Sequence, residues 1–129
     1  MPSGRLLAFD LDGTLVDSRR DLADSANQLV VELGGQPLTE ESVVGMVGEG
    51  ASVLVRRALA AAELPDRPAA LGRFLEIYDE RLLRSTQLYP GMIRVLEAAR
   101  RHARVAVLTN KPLRHTERLL DGLHVRQLF

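Results

Sequence analysis

The 129-residue chain contains no cysteine, no tryptophan and a single lysine. Without cysteine it forms no disulfide, binds no metal through thiolates and has no cysteine nucleophile. Because disulfide scaffolds belong to oxidising compartments, this composition favours a cytoplasmic protein. The 17 basic and 17 acidic side chains cancel to a formal net charge of zero, which removes the electrostatic basis for binding nucleic acid or an anionic membrane.

Long hydrophobic runs are also missing from the sequence. No segment approaches the roughly 18 apolar residues that span a bilayer, and the four apolar residues after Arg5 are too few for the apolar part of a secretory signal. Hydrophobic residues nevertheless make up 46% of the chain. We therefore expect a soluble, intracellular protein whose length suits one domain, with no membrane and no nucleic acid among its partners.

Two short apolar runs predict buried strands. Residues 5–10 (RLLAFD) stop at Asp-Leu-Asp-Gly, and residues 104–109 (RVAVLT) stop at Asn-Lys-Pro, the pattern of a strand that ends in a turn. A crossover between parallel strands needs only a dozen or so residues, whereas these runs are about ninety residues apart. The spacing predicts a separate module inserted between them.

Helical periodicity accounts for most of the remaining sequence, because apolar residues recur three and four positions apart. The predicted helices cover residues 18–34, a short segment starting with an N-cap at Thr39, residues 51–62, a segment capped by Asp66 and ending near Thr86, residues 91–102 and residues 112–123. The fold class is therefore predicted to be α/β with a parallel sheet. In this prediction residues 1–16 and 87–129 form an α/β core, and residues 17–86 form an inserted module of four helices.

The sharpest feature is the acidic turn Asp10-Leu11-Asp12-Gly13-Thr14 after the first strand. Carboxylates at i and i+2 of an extended chain point the same way. Asp10 can therefore attack phosphorus as a nucleophile, while Asp12 protonates the leaving oxygen and later activates water. Gly13 lets the backbone approach an anion, so we expect the amides of Leu11 and Gly13, with Thr14 beside them, to bind phosphate.

The same carboxylates, Asp10 and Asp12, are the candidate metal ligands, because Mg²⁺ prefers oxygen ligands completed by water and phosphate. A solvated Asp-Gly turn is the structural alternative. Zinc is not predicted, because the three histidines lack the i, i+3 or i, i+4 spacing of a zinc site. They are expected at surface positions of helices: His102, His115 and His124.

Thr109-Asn110-Lys111 follows the second strand and is the second candidate set. Ligands of parallel sheets sit at the carboxyl ends of the strands, so Thr109 should lie beside Asp10 and donate its hydroxyl to a phosphate oxygen. Asn110 would add a backbone N–H, and Lys111 is expected near the phosphate. A loop capped by threonine is the structural alternative.

Gly48 and Gly50 flank a glutamate in the inserted helices. Glycine allows the backbone to approach a ligand closely, which is useful if the inserted module closes over the site. We therefore add both glycines to the substrate-binding candidates. A plain turn between two helices explains them equally well.

Four short segments of the sequence together resemble the haloacid dehalogenase-like hydrolase superfamily, and within it the phosphoglycolate phosphatases. Two are similar to the first and second motifs of the family, one to the helical cap, and one to the return into the core. They are residues 9–15 (FDLDGTL), 108–112 (LTNKP), 47–50 (VGEG) and 88–92 (LYPGM).

The resemblance implies a Rossmann-type core, partial in this chain, with a four-helix cap at residues 17–86. It implies that Asp10 forms an aspartyl-phosphate and that Asp12 is the acid/base. It further implies Mg²⁺ held by the Asp10 carboxylate and the Asp12 carbonyl, and Thr109 on the phosphate. The implied substrate is a small phosphorylated metabolite, and 2-phosphoglycolate is the first candidate. The second aspartate favours phosphoryl chemistry over dehalogenation, which has no leaving oxygen to protonate.

The family also has a third motif with a lysine and a fourth with an acidic Gly-Asp segment, both expected beyond Phe129. We therefore expect this chain to be truncated relative to the family and impaired alone, since a missing cation at a transferring phosphoryl group costs at least about 10³-fold in rate. The alternatives are a sugar-phosphate mutase or pyrophosphatase of the same superfamily, a two-component receiver domain, and a non-catalytic fragment or binding module. The sequence carries no signal for the oligomeric state.

Overall fold

A computed structural model describes residues 4–129. The predicted α/β class is confirmed, since within that range six helices accompany two small sheets. In that same part of the chain, none of the helices is both apolar enough and long enough to cross a membrane. The elements are β1 (Leu6–Phe9), β2 (Val16–Asp17), α1 (Arg19–Glu32), α2 (Glu40–Val44), α3 (Ala51–Ala61), α4 (Ala70–Arg81), β3 (Gln87–Leu88), α5 (Met92–Arg100), β4 (Arg104–Val107), α6 (Leu113–Gly122) and a final 3₁₀ turn (Arg126–Leu128).

The two predicted strands pair in parallel. The prediction that both are buried is wrong for β1, where only Phe9 is partly buried, because within the described residues β1 has a single neighbouring strand. β1 lies beside β4, with Leu6 opposite Arg104 and Phe9 opposite Val107. The carboxyl ends of both strands therefore meet at one edge of the sheet, although most of the sequence separates them. The loops that carry the acidic turn and the Thr-Asn-Lys segment leave the sheet at that edge.

A second pairing, which the sequence does not predict, joins β2 to β3. The strands are antiparallel, with Val16 opposite Leu88 and Asp17 opposite Gln87, and the Tyr89 N–H donates to the Leu15 carbonyl at 3.1 Å. Strands of two residues are too short to produce an alternating pattern. This ribbon lies where the predicted cap begins and ends, so the two connections of the segment 17–86 run side by side.

Within the segment 17–86, α1 contacts each of α2, α3 and α4. The helices meet through apolar side chains spaced three or four residues apart, and fully burying each such side chain stabilises by about 1.5–3 kcal/mol. The buried set includes Leu22, Ala26 and Leu29 of α1 and Phe74, Ile77 and Tyr78 of α4.

The starts of two predicted helices have different outcomes. Thr39 caps α2 as predicted, because its hydroxyl accepts the Ser42 N–H at 3.1 Å. The prediction that Asp66 caps α4 is wrong, since α4 begins at Ala70. Pro68 explains the delay: a proline disfavours helical geometry at the residue before it and donates no N–H.

Asp21 ties α1 to the end of the segment 17–86. Its carboxylate is 1% exposed and accepts the Ser85 N–H at 2.9 Å, the Thr86 N–H at 2.8 Å and the Thr86 hydroxyl at 2.7 Å. A buried carboxylate with several donors anchors the chain more firmly than a neutral pair, because hydrogen bonds to charged groups are the stronger ones.

We predict that Asp21→Asn lowers the free energy of unfolding by about 1.5–3 kcal/mol, because the amide leaves buried donors without a charged acceptor. Urea denaturation measures the loss. The matched control is Asp24→Asn on the same helix, where the carboxylate is 47% exposed and 3.8 Å from Arg20; it should change stability by no more than about 0.5 kcal/mol. Equal losses in the two variants would contradict the prediction.

Candidate active site

A cleft lies where the loops after β1 and β4 meet the helical segment. Seven of the predicted site residues line it together: Asp10, Asp12, Gly48, Gly50, Thr109, Asn110 and Lys111.

The structure does not bring Leu11, Gly13 and Thr14 to this wall. Leu11 is fully buried, and its N–H donates to Asp10 Oδ1 at 2.8 Å. The Gly13 N–H donates to the Val16 carbonyl at 2.9 Å, and the Thr14 N–H donates to the Leu11 carbonyl at 3.2 Å. The amides expected to face a phosphate are therefore used inside the turn, where Gly13 adopts the left-handed φ of 84° that favours glycine.

Asp12 is held on both carboxylate oxygens. The Ser18 hydroxyl donates to Oδ1 at 2.6 Å, and Lys111 Nζ lies 3.3 Å from Oδ2. Ser18 is the N-cap residue of α1 and is buried, so one donor comes from the start of the helical segment and the other from the loop after β4. Sequence reasoning missed Ser18, because its position before a helix suggests a cap and nothing more.

Lys111 is almost completely buried, with 4% of its side chain exposed. Besides Asp12 it contacts Tyr78 of α4, with 2.5 Å from Nζ to the phenolic oxygen and 4.3 Å from Nζ to the ring centroid. Burial lowers the pKa of Lys111, while the Asp12 carboxylate opposes that shift. Burial also raises the pKa of Tyr78, with a further contribution from Asp12, so the phenol stays protonated at neutral pH.

His115 corrects a prediction, because it is 2% exposed rather than on the surface. It lies on the inner face of α6, at a position that helical spacing from the buried Leu119 would have revealed. Its ring packs edge-on against Tyr78 at 5.1 Å between centroids. Within residues 4–129, neither ring nitrogen has a hydrogen-bond partner. His102 and His124 are exposed as expected.

The loop after β4 also touches the helical segment directly. The Asn110 side-chain amide donates to the Gly48 carbonyl at 3.0 Å, and a Cβ at Gly50 would lie 3.5 Å from the Asn110 carbonyl. Gly50 has a φ of 93°, so the backbone geometry favours glycine there, whereas the distance to Asn110 is an ordinary van der Waals contact that would leave room for a Cβ. Thr109 accepts the Lys111 N–H at 3.1 Å, which fixes the turn that carries the lysine.

The haloacid dehalogenase-like hydrolase family model matches residues 7–129. The phosphoglycolate phosphatase of Pseudomonas putida is 42% identical over 132 residues, covering 97% of this chain and 48% of that protein. The phosphoglycolate phosphatase of Cereibacter sphaeroides is 39% identical, covering 95% of this chain and 59% of that protein. The chain therefore spans about half the length of the curated relatives it matches.

Solved structures agree with these sequence matches. The crystal structure of a predicted phosphoglycolate phosphatase from Haemophilus somnus superposes with a TM-score of 0.90 at 34% identity. The match covers 98% of this chain and 60% of that one. The Rossmann-type fold class expected from the resemblance is thus confirmed.

The buried His115 leads to a prediction about pH. Burial, and then the Lys111 charge, lower the pKa of His115 below its ordinary value of 6.5. Below about pH 6.5 the unfolded chain therefore takes up a proton that the folded chain does not, so the free energy of unfolding falls on acidification. His115→Gln should flatten this decline in denaturation measured between about pH 7.5 and pH 5.5.

His102→Gln is the control, because His102 is exposed. It should retain the full decline with pH. If His115→Gln and the parent lose stability equally over this range, the buried imidazole is not the cause.

Proposed function

The chain belongs to the haloacid dehalogenase-like hydrolase family, and from this we propose that it hydrolyses a small phosphate monoester with the help of Mg²⁺. The observation that carries the proposal is the meeting of Asp10, Asp12 and Lys111 in one cleft. The preferred substrate in this proposal is 2-phosphoglycolate, which fits the names of the curated relatives. Because the chain has no cysteine, we favour the cytoplasm as the compartment.

In this proposal Asp10 is the nucleophile. Its residue is exposed at the end of β1, so a substrate can reach the carboxylate while strand pairing holds the backbone. A carboxylate oxygen attacks phosphorus, the bond from phosphorus to the ester oxygen breaks, and an aspartyl-phosphate results. Water then attacks that phosphorus, which releases phosphate and restores the Asp10 carboxylate.

Asp12 moves the proton in both steps. Its carboxyl group protonates the leaving ester oxygen, and the resulting carboxylate then takes a proton from the attacking water. The contacts with Ser18 at 2.6 Å and Lys111 at 3.3 Å hold the Asp12 carboxyl group in place, and a general acid or base acts efficiently only from a fixed position beside the reacting atoms.

Oxygen donors in the cleft fit Mg²⁺. Among residues 4–129 no group of three histidine, aspartate or glutamate side chains could hold a metal ion. Mg²⁺ accepts such a sparse site, because it keeps several waters and takes phosphate oxygens as ligands. The Asp10 carboxylate and the Asp12 carbonyl would hold the ion, which when bound neutralises charge on the transferring phosphoryl group.

The remaining cleft residues bind and enclose the substrate in this proposal. Thr109 donates its hydroxyl to a phosphate oxygen. The contact between Asn110 and Gly48 at 3.0 Å supports closure of the helical segment over the ester, with Gly50 at the same contact. In this proposal residues 17–86 are the cap, and residues 1–16 and 87–129 are the core. Residues 1–3 lie outside the described range.

A second candidate function is binding of the same esters without turnover. It would use the same cleft, in which Asp10, Asp12, Thr109 and Lys111 lie together. Binding of 2-phosphoglycolate with no release of phosphate would identify this function. A panel of phosphate esters, pyrophosphate and sugar phosphates separates the phosphatase from a mutase or pyrophosphatase on the same scaffold.

We predict that this chain releases phosphate from 2-phosphoglycolate only with Mg²⁺, and that Asp10→Asn lowers the rate by at least about 10³-fold, because the amide cannot form the phosphoryl-enzyme. A phosphate-release assay with and without chelator measures both effects. Asp66→Asn, at an exposed position away from the cleft, should leave the rate unchanged. Full activity of the Asp10→Asn variant in chelator would overturn the proposal.

A further inference from the structure

Three buried polar side chains on the cleft wall have donors that the proposed reaction does not use. We call them the donor corner: Tyr78 of α4, Lys111 of the loop before α6, and His115 of α6. All three line the cleft that holds Asp10 and Asp12. They also contact one another, through the 2.5 Å distance from Lys111 Nζ to the Tyr78 oxygen and the edge-on packing of Tyr78 and His115.

The donor corner has more hydrogen-bond donors than partners. An ammonium carries three N–H groups, and Asp12 and the Tyr78 oxygen account for two of those on Lys111. Tyr78 accepts from Lys111, so its own O–H is left, and within residues 4–129 it donates to no acceptor. His115 packs its ring against Tyr78, and neither of its two buried ring nitrogens is hydrogen-bonded in that range.

The nearest acidic neighbour of His115 does not supply the missing acceptor. His115 Nε2 lies 3.3 Å from Asp79 Oδ1, but outside the geometry of a hydrogen bond. Asp79 is already engaged by Arg114 and Arg118. Buried polar groups are nearly always hydrogen-bonded, so the unused donors of Lys111 and Tyr78 at one cleft indicate a ligand with several acceptor positions. A carboxylate has about four such positions on two oxygens.

The position of the donor corner suits it to bind the leaving group of the ester rather than the phosphoryl group. In the proposed reaction Asp12 faces the ester oxygen, and Lys111 Nζ is 3.3 Å from Asp12 Oδ2. In the phosphate ester of a 2-hydroxy acid, three bonds separate the ester oxygen from each carboxylate oxygen, a span of about 2.7–3.7 Å. One small substrate can therefore reach Asp12 with its ester oxygen and Lys111 with its carboxylate.

We propose that Tyr78 and Lys111 form a carboxylate subsite, supported by the ring of His115 packed against Tyr78, that selects phosphate esters of 2-hydroxy acids over neutral esters of similar size. The inference rests on the proposed function, because it takes Asp12 as the group that faces the ester oxygen. Lys111 supplies the positive charge, and the Tyr78 phenol supplies a directed O–H donor. Tyr78 belongs to the segment 17–86, so that segment contributes directly to the choice of substrate.

The test compares 2-phosphoglycolate with ethyl phosphate, which has a methyl group in place of the carboxylate. Affinities are measured by isothermal titration calorimetry in the Asp10→Asn background with Mg²⁺, so that neither ester is consumed. In the Asp10→Asn protein without a second substitution, we expect 2-phosphoglycolate to bind about 10- to 100-fold more tightly than ethyl phosphate. This is the range that hydrogen bonds to charged groups provide. Adding Lys111→Met should bring the two affinities within about 3-fold, and adding Tyr78→Phe should reduce the preference by about 5-fold.

The matched control adds Arg118→Met, which removes a positive charge on α6 that pairs with Asp79 outside the cleft. It should retain the preference for 2-phosphoglycolate. Thermal denaturation establishes that each variant is folded, and Tyr78→Phe keeps the test decisive if Lys111→Met does not fold.

The outcomes separate the subsite from the proposed function. Tight binding of both esters with equal affinity overturns the subsite alone. Equal loss of both affinities in Lys111→Met also overturns it, since Lys111 would then act on the phosphate. Binding of neither ester overturns the proposed function and the subsite with it.

Discussion

The parallel pairing of β1 with β4 is the constraint on which the cleft depends. Four residues of each strand pair, and through them two loops from opposite ends of the sequence leave the sheet side by side. Two strands form a marginal sheet on their own, and Leu6 and Leu7 remain 63% and 44% exposed. The alignment of Asp10 with Thr109 therefore depends also on the helices packed around the sheet, on the β2–β3 ribbon and on the buried Asp21 anchor.

Much of this architecture can be predicted from local pattern. Apolar runs that end in polar turns identify both long strands. The six helices are identified by three- and four-residue spacing, by capping residues such as Thr39, and by helix-forming composition at residues 51–62. These signals work because burial on one face of an element imposes a period on the sequence. The acidic turn was equally readable, since Asp10, Asp12 and Gly13 lie within four positions of one another.

What the sequence did not reveal depends on contacts between distant segments. One partner of Lys111 is Tyr78, thirty-three positions earlier. Nothing in the sequence around either residue indicates this contact. Ser18 likewise resembles an ordinary helix cap until the fold brings Asp12 to it. The predicted start of α4 is wrong for a different reason, because Asp66 has the residue type of a helix cap, but Pro68 two positions later prevents the helix from starting there.

The β2–β3 ribbon has a consequence for how this protein can change over evolution. Paired residues of antiparallel strands lie about 4.5–5.5 Å apart, so the chain passes from Asp17 to Gln87 as it would through a hairpin. In terms of connectivity, residues 18–86 are the loop of that hairpin. Closing a loop becomes only slowly more costly with its length, by about 0.6 kcal/mol for each doubling. Loops of very different size could thus be exchanged at this point while the strands that carry Asp10 and Thr109 keep their register.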